Sequence, residues 1–237
     1  MSDLPVPDPI EVPPPAPPSI FSISARTATV LLLFTLVFTA LMAATYFATK
    51  PTIEQSARAE KMKLIGEVLP HDAYDNDLLA DGVTLAPVAT LGLDDDSTVY
   101  RARKGGQAVA LVLEAAAPDG YSGRVGLLLA VGIDGRLLAM RVTQHKETPG
   151  LGDYIDPRKD KNKTKPWIGQ FDRKGFDDVR PEQWKVKKDG GVFDAHVGAT
   201  ISARAVTNAS GRALVWALEH RSKLFELPVG ARLEDKP

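Results

Sequence analysis

The chain has 237 residues, which is enough for a membrane anchor and one domain with a sizeable core. Its formal net charge is -1, so the overall charge gives no reason to expect nucleic acid as a partner, because nucleic-acid recognition requires a basic face. The sequence contains no cysteine, which excludes disulfides, thiolate metal sites, cysteine-ligated iron–sulfur clusters and a cysteine nucleophile within this chain.

The N-terminal region predicts a solvated tail. Its first 18 residues contain eight prolines together with acidic residues and few apolar groups. Such a composition stays extended and cannot bury a core, so residues 1–26 are predicted to be a Pro-rich disordered tail. A partner-binding segment is the alternative interpretation.

The next stretch predicts a single transmembrane helix. Residues 27–48 hold no charged side chain over 22 positions and are rich in Leu, Val, Phe and Ala. At ~1.5 Å per residue the helix would be about 33 Å long, enough to cross the hydrocarbon core. A cleaved signal peptide is the rival interpretation, but the apolar run is too long and the preceding segment is acidic rather than basic.

The charges that flank this stretch favour a cytoplasmic domain. Arg26 is the basic residue on the N-terminal side. The basic residues on the C-terminal side are Lys50, Arg58, Lys61 and Lys63. Because positively charged flanks tend to stay in the cytoplasm, the charge count alone places the following domain there.

The region after the membrane predicts an α+β domain. A charged helix is expected over 51–69 and should end at Pro70. Strand-like runs follow at 98–103, 108–114, 125–133 and 137–143. The predicted turns between them are Lys104-Gly105-Gly106, Pro118-Asp119-Gly120 and Asp134-Gly135. Because strands joined this tightly pair antiparallel, we expect an antiparallel sheet with flanking helices.

A second helix is predicted from Ile201 to about Leu224. Its apolar face is formed by residues spaced three, four and three apart, namely Val206, Ala209, Ala213 and Trp216. Ser202 is the expected N-cap and Pro228 the expected stop signal, which leaves residues 228–237 as a C-terminal tail. Gly211 inside the helix costs about 1 kcal/mol relative to alanine.

The segment DAHVGATIS, residues 194–202, places a hydroxyl where a turn of small residues meets this helix. The first turn of a helix leaves backbone N–H groups unpaired, so a phosphate beside Thr200 would meet hydrogen-bond donors. Gly198 and Ala199 would let a ligand approach the backbone closely. A plain strand-to-helix turn is the open alternative.

Three segments in order resemble one protein family. They are Gly120-Tyr121-Ser122-Gly123, the run HKETPGLGD at 145–153, and Val197-Gly198-Ala199-Thr200. They are similar to the FMN-binding domains of the G subunit of the Rnf (Rsx) electron transport complex and of the C subunit of the Na+-translocating NADH:quinone reductase. The similarity extends over roughly residues 27–227 and includes the juxtamembrane segment.

The resemblance implies a set of cofactor-binding residues. In the family the final threonine of a Ser-Gly-Ala-Thr motif carries FMN through a phosphoester bond, which corresponds to Thr200 here. The other residues that the resemblance implies at the FMN site are Gly198, Ala199, Glu147, Thr148, Leu151 and Ser202. The sequence departs from the motif at Val197, where the family usually has Ser or Thr. Lys187 could help to neutralise a phosphate, and His145 could shape the loop.

The resemblance also implies an assembly. The chain would be a membrane-anchored electron-transfer protein that works with the A, B, C, D and E subunits of an Rnf-type complex, and a separate flavin transferase would install its FMN. Residues 50–227 would form a periplasmic FMN-binding domain on the bacterial inner membrane. We follow this orientation over the charge count, because partner subunits can orient a single-span protein.

The sequence alone leaves several alternatives open. The chain could be the C subunit of the Na+-translocating reductase, or a membrane-anchored scaffold without flavin. Residues 157–175 carry many basic side chains and are expected to form a solvated loop that Trp167 and Phe171 pack down; docking to a partner subunit or to lipid headgroups is the second interpretation.

Overall fold

The computed structural model describes residues 20–234, and residues 1–19 of the predicted tail lie outside this range. The described chain divides into two units, one ending at Ser56 and the other beginning at Ala57. The α-helices are α1 (Ile20–Gly66) and α2 (Thr200–Glu226). The strands are β1 (Gly82–Leu85), β2 (Ser97–Lys104), β3 (Gln107–Gly120), β4 (Gly123–Gly132), β5 (Arg136–Gln144), β6 (Lys174–Gly175) and β7 (Arg232–Leu233). Short 3-10 helices span His71–Ala73, Ala89–Leu91, Asp153–Ile155, Trp167–Phe171, Pro181–Gln183 and Lys187–Asp189.

The helix α1 contains the apolar stretch that the sequence predicts to span a membrane. Within the described chain it is the one helix long and apolar enough to do so, and its apolar part has a mean hydropathy of 2.2 over 18 residues. The hydroxyls of Thr35 and Thr45 donate to the carbonyl oxygens of Leu31 and Leu41, each at 2.9 Å. Because hydrocarbon offers a hydroxyl no partner, this pairing within the helix suits a helix that faces lipid.

The start, the continuity and the end of α1 differ from the sequence prediction, since the helix ends at Gly66 rather than at residue 69. The helix begins at Ile20, so residues 20–26 are helical rather than part of a tail. It also continues through Pro51, where the sequence predicts the start of a separate helix. A proline removes one backbone hydrogen bond and crowds the preceding turn, but a long helix on both sides can retain its remaining bonds across such a position.

The domain is built on one seven-stranded sheet with the order β6-β5-β4-β3-β2-β1-β7. Every neighbouring pair is antiparallel except β1 and β7, which are parallel. The α+β class is therefore confirmed. The four predicted strands correspond to β2, β3, β4 and β5, which form the long central part of the sheet.

One turn and three strands differ from what the sequence predicts. Pro118-Asp119-Gly120 lies at the end of β3, and the hairpin turn follows it at Tyr121-Ser122. A register shift between Ala117 and Gly120 accommodates the proline, which has no N–H to donate to the ladder. The strands β1, β6 and β7 are too short for a periodic pattern. β7 lies within residues 228–237, where Leu233 is buried against the core.

One face of the sheet is covered by α2. The four residues of its predicted apolar face, Val206, Ala209, Ala213 and Trp216, are all buried. Gly211 belongs to the same contact, because a Cβ there would lie 2.7 Å from the Trp184 ring. The glycine therefore allows the helix and the Trp184 loop to approach closely, which offsets its low helix propensity.

The end of α1 and the segment after it cover the opposite face. Ile65, Val68, Leu69 and Leu78 are buried there against the sheet. The sheet thus lies between helical segments on both faces, as the predicted class requires.

Candidate functional site

The three segments of the sequence resemblance meet at one cavity of about 250 Å³. The turn at Tyr121, the loop after β5 and the start of α2 each contribute to its wall. Its lining residues are Tyr121, Glu147, Thr148, Leu151, Gly152, Gly198, Ala199, Ile201 and Ser202. Six of the seven residues proposed for cofactor binding are among them. The seventh, Thr200, lies between the lining residues Ala199 and Ile201.

The carboxylate of Glu147 is the point where these segments touch. Glu147 is 3% exposed. Its Oε1 accepts a hydrogen bond from the Ser122 backbone N–H at 3.1 Å, and its Oε2 accepts one from the Ser202 hydroxyl. A buried carboxylate requires such partners, since an unpaired one would be costly to desolvate. Glu147 therefore joins the hairpin turn, its own loop and the first turn of α2.

Two glycines allow this convergence. A Cβ on Gly152 would lie 2.6 Å from the Ser202 Oγ and 2.8 Å from a Glu147 oxygen. A Cβ on Gly120 would lie 2.8 Å from the other Glu147 oxygen. Any side chain at either position would displace the carboxylate, so the motif glycines serve close packing around Glu147.

The loop after β5 is held by its own hydrogen bonds. The Nδ1 atom of His145 accepts from the Glu147 N–H at 3.2 Å, and the carbonyl of Thr148 accepts from the N–H groups of Leu151 and Gly152, both at 3.1 Å. Gly150 has a φ of 76°, a conformation that favours glycine. His145 thus shapes the loop rather than lining the cavity, as expected from the sequence.

The hydroxyl groups of Thr200 and Ser202, at the start of α2, have different surroundings, which the sequence alone could not reveal. Ser202 is the predicted N-cap, but the helix begins at Thr200 with Ala199 at the cap position and no side-chain cap. Ser202 is 1% exposed and its hydroxyl is bound to Glu147. The Thr200 side chain is half-buried and makes no hydrogen bond to any residue in the described range 20–234. One hydroxyl of this turn is therefore engaged and the other is free.

The segment before α2 is anchored by Tyr154, which the sequence did not single out, and by Trp167, which the sequence indicated only as a packing residue. The Tyr154 hydroxyl accepts from the His196 N–H at 3.1 Å and donates to the Ala199 carbonyl at 3.2 Å. Trp167 donates its indole N–H to the Asp194 carbonyl at 2.6 Å. Burial raises the pKa of Tyr154, so its hydroxyl stays protonated and able to donate. The residues that Tyr154 contacts lie more than 40 positions away in the sequence, so no local sequence pattern predicts these contacts.

The structure also shows the surroundings of three other features noted in the sequence. Val197, the departure from the family motif, has a fully exposed side chain and does not line the cavity. The ammonium group of Lys187 lies 2.6 Å from the Asp194 carboxylate, so its charge is already paired with an acid. Trp167 and Phe171 are buried, as expected for residues that pack the basic segment down.

The residues around the cavity fit an FMN group by the chemistry of their donors. The uncapped first turn of α2 presents backbone N–H groups beside the free Thr200 hydroxyl, which is a suitable environment for a phosphate. The cavity wall combines carboxylate, hydroxyl and backbone groups with the apolar side chains of Leu151 and Ile201. A planar heteroaromatic ring requires both kinds of surface, an apolar face and polar edges.

Replacing Glu147 with alanine tests the convergence of the three segments. The substitution leaves the Ser122 N–H and the Ser202 hydroxyl without an acceptor, and each unpaired buried donor costs about 1–3 kcal/mol. We expect Glu147→Ala to lower the melting temperature of the full chain in detergent by about 10 °C. Glu147→Gln is the matched control, because it keeps the shape and one acceptor, and it should lose less than half of that amount. Equal melting temperatures for Glu147→Ala and wild type would contradict this role.

Replacing Tyr154 with phenylalanine tests the anchoring of the segment before α2. The ring packing is retained, but the hydroxyl that bridges His196 and Ala199 is lost. For the covalent flavin that the sequence resemblance implies at the neighbouring Thr200, we expect attachment to slow about tenfold, the equivalent of about 1.4 kcal/mol, in a time course followed by protein-bound flavin fluorescence. Tyr74→Phe is the control, since its hydroxyl bonds to His71 away from the cavity. A Tyr154→Phe rate equal to the control would contradict the role.

Comparison with known proteins gives a consistent set of similarities. The model of the RnfG N-terminal region matches residues 21–68, and the model of the FMN-binding domain matches residues 120–215. A Pseudomonas aeruginosa (strain UCBPP-PA14) protein, named as the G subunit of the ion-translocating oxidoreductase complex, is 43% identical over 84% of this chain and 91% of its own length. A protein of the same name in Shewanella amazonensis is 38% identical over 83% of this chain and 89% of its own length. Another, in Vibrio atlanticus, is 37% identical over 86% of this chain and 95% of its own length.

Proposed function

This chain belongs to the family of G subunits of the ion-translocating oxidoreductase complex, and we propose that it relays electrons through FMN attached covalently to Thr200. It is a membrane-anchored flavoprotein of an Rnf-type complex. The observation that carries the attachment proposal is the free hydroxyl of Thr200 at the uncapped start of α2, beside the cavity that Glu147 organises.

The residues of this chain would position the cofactor rather than perform chemistry themselves. Thr200 supplies the ester oxygen, and the first-turn N–H groups of α2 stabilise the phosphate charge. Thr148, Leu151 and Glu147, with Gly198 and Ala199 opposite, line the space for the ring. Bound FMN supplies reversible transfer of one or two electrons, while the protein fixes its place and its electrostatic surroundings.

The covalent bond requires a second protein. A flavin transferase would supply FAD, from which the Thr200 oxygen takes the FMN phosphoryl group; the phosphoanhydride bond breaks, and AMP leaves as the hydroxyl loses its proton. The tether would remove any dissociation equilibrium, which matters for a cofactor in a dilute compartment. The exposed tip at Val197 and Gly198 would give the transferase access to this segment.

The proposal also includes the partner subunits and the orientation of the domain in the membrane. The partners would be the A, B, C, D and E subunits of the complex, and the domain would lie on the periplasmic side of the bacterial inner membrane. The basic residues after the apolar stretch favour the opposite side by charge alone, so partner subunits would have to determine the orientation.

The alternatives raised by the sequence now have less support. Relatives that cover most of this chain are named as G subunits of the ion-translocating oxidoreductase complex, which favours this complex over the Na+-translocating NADH:quinone reductase. The FMN-binding match over residues 120–215 disfavours a scaffold without flavin.

The full chain, purified after co-expression with its flavin transferase, tests the proposal. We expect absorbance near about 450 nm from oxidised flavin, and flavin fluorescence that stays with the polypeptide in a denaturing gel. Co-purification of the other subunits of the complex from native membranes is expected as well. A colourless protein with a working transferase would restore the scaffold alternative, and flavin that separates on denaturation would exclude the covalent bond.

A further inference from the structure

A nine-residue segment, residues 157–165, concentrates positive charge and takes no part in the proposed electron transfer. We name it the basic loop. Its basic residues are Arg158, Lys159, Lys161, Lys163 and Lys165, and its one acidic residue is Asp160. The chain as a whole has a net charge of -1, so this local excess is not a consequence of a basic composition.

The two acidic groups within and directly before the basic loop, Asp160 and Asp156, face inward. Asp160 is 2% exposed, and its carboxylate accepts the backbone N–H groups of Trp167 at 2.6 Å and Asn162 at 2.9 Å. Asp156, directly before the basic loop, is equally buried and pairs with Arg158, whose Nε lies 3.0 Å from Oδ1. Burial raises the pKa of Asp156, but the hydrogen bonds from Arg158 outweigh this effect and the net pKa is lowered. Both carboxylates therefore fix the course of the loop, and neither adds negative charge to its outer surface.

The lysines of the basic loop face outward. All four are exposed, and none forms an ion pair with any residue in the described part of the chain. Lys163 donates to the carbonyl oxygen of Arg158 at 2.7 Å. The ammonium groups of Lys159, Lys161 and Lys165 have no hydrogen-bond acceptor among residues 20–234. Such a surface is cationic without internal compensation, which suits an anionic partner.

We propose that the basic loop binds the anionic headgroups of the bilayer in which α1 is anchored. Each lysine near an anionic membrane surface adds a small attraction, and a few of them are too weak to recruit a protein from solution. In this chain the membrane anchor raises the effective concentration of the loop at the bilayer, because only residues 49–56 separate the apolar stretch from the domain that begins at Ala57. A tethered weak site then acts at a high effective concentration. The inference rests on the membrane anchor and is independent of FMN.

The absence of cysteine from the chain makes a direct test possible. Thr164→Cys introduces a unique thiol into the basic loop, and Gln107→Cys, at the exposed first residue of β3, is the matched control. The full chain carrying an environment-sensitive thiol fluorophore is placed in nanodiscs of phosphatidylcholine or of equal parts phosphatidylcholine and phosphatidylglycerol. We expect a blue shift of the Thr164→Cys label in the anionic nanodiscs only, and its loss at about 0.5 M salt, where the screening length falls to about 4 Å.

A second variant tests whether the blue shift depends on the lysine charges or only on closeness of the loop to the bilayer. Replacing Lys159, Lys161, Lys163 and Lys165 with glutamine should abolish the blue shift without changing the melting temperature, since these side chains are exposed. Equal emission in the two lipid compositions would overturn the proposal, as would a shift that survives the glutamine replacements. A shift seen only after partner subunits are added, in either lipid, would also overturn it and would assign the basic loop to a protein contact.

Discussion

Thr200→Ala is expected to yield a folded chain without covalent flavin. The substitution removes the one atom proposed to carry the ester bond, and the hydroxyl it removes makes no hydrogen bond within the described residues. Its cost to stability should therefore be small, well under about 1 kcal/mol. The measurement is flavin fluorescence of the polypeptide in a denaturing gel, with the melting temperature recorded in parallel. Persistent covalent flavin in Thr200→Ala would refute the attachment.

Two controls give this experiment its specificity. Thr200→Ser keeps a hydroxyl at the same position and should retain covalent flavin. Ser202→Ala removes the neighbouring hydroxyl, which is buried against Glu147, and should retain covalent flavin while losing stability. The opposite pattern, with flavin lost in Ser202→Ala and retained in Thr200→Ala, would show that the bond is made by Ser202 instead.

Asp81→Ala is expected to have the largest effect on stability. Asp81 pairs with two arginines of β2: Arg101, which is 1% exposed, and Arg103, whose Nε lies 2.9 Å away. Both arginines also donate to carbonyl oxygens at the C-terminal end of α2, including Leu224 at 2.8 Å and Phe225 at 3.1 Å. The Asp81 carboxylate thus neutralises the buried Arg101 guanidinium, which in turn donates hydrogen bonds to carbonyl oxygens at the C-terminal end of α2.

Removal of Asp81 leaves Arg101 buried without a carboxylate partner in the described chain. Breaking such a pair costs about 3–5 kcal/mol, so we expect the melting temperature of the full chain in detergent to fall by about 10 °C or more. Asp96→Ala is the control, because its pair with Arg232 is half-exposed and should be removable without a measurable change. Similar melting temperatures for the two variants would show that the Asp81 pair is not a stabilising element.

The sequence predicts well what depends on local pattern. The apolar stretch at 27–48, the four central strands and the buried face of α2 at Val206, Ala209 and Trp216 all follow from hydrophobic period and length. The loop at 145–153 stands out through its resemblance to a family, and the structure brings it next to the start of α2. Its glycines could be recognised as turn residues, but their role in packing around Glu147 depends on the tertiary contact.

What the sequence could not predict depends on contacts between distant residues. Ser202 satisfies the pattern of an N-cap, but the helix begins two residues earlier and the Ser202 hydroxyl pairs with Glu147 instead. Tyr154 bridges His196 and Ala199 across the fold, and no spacing rule connects them. Similarly, β7 forms from two residues only because β1 offers a free edge.

The most direct test of the central claim is the intact mass of the full chain after co-expression with a flavin transferase of shown activity, followed by fragmentation. We predict an added mass equal to FMN minus water, localised to Thr200. An unmodified mass, or an FMN increment localised to any other residue, would contradict the proposed attachment.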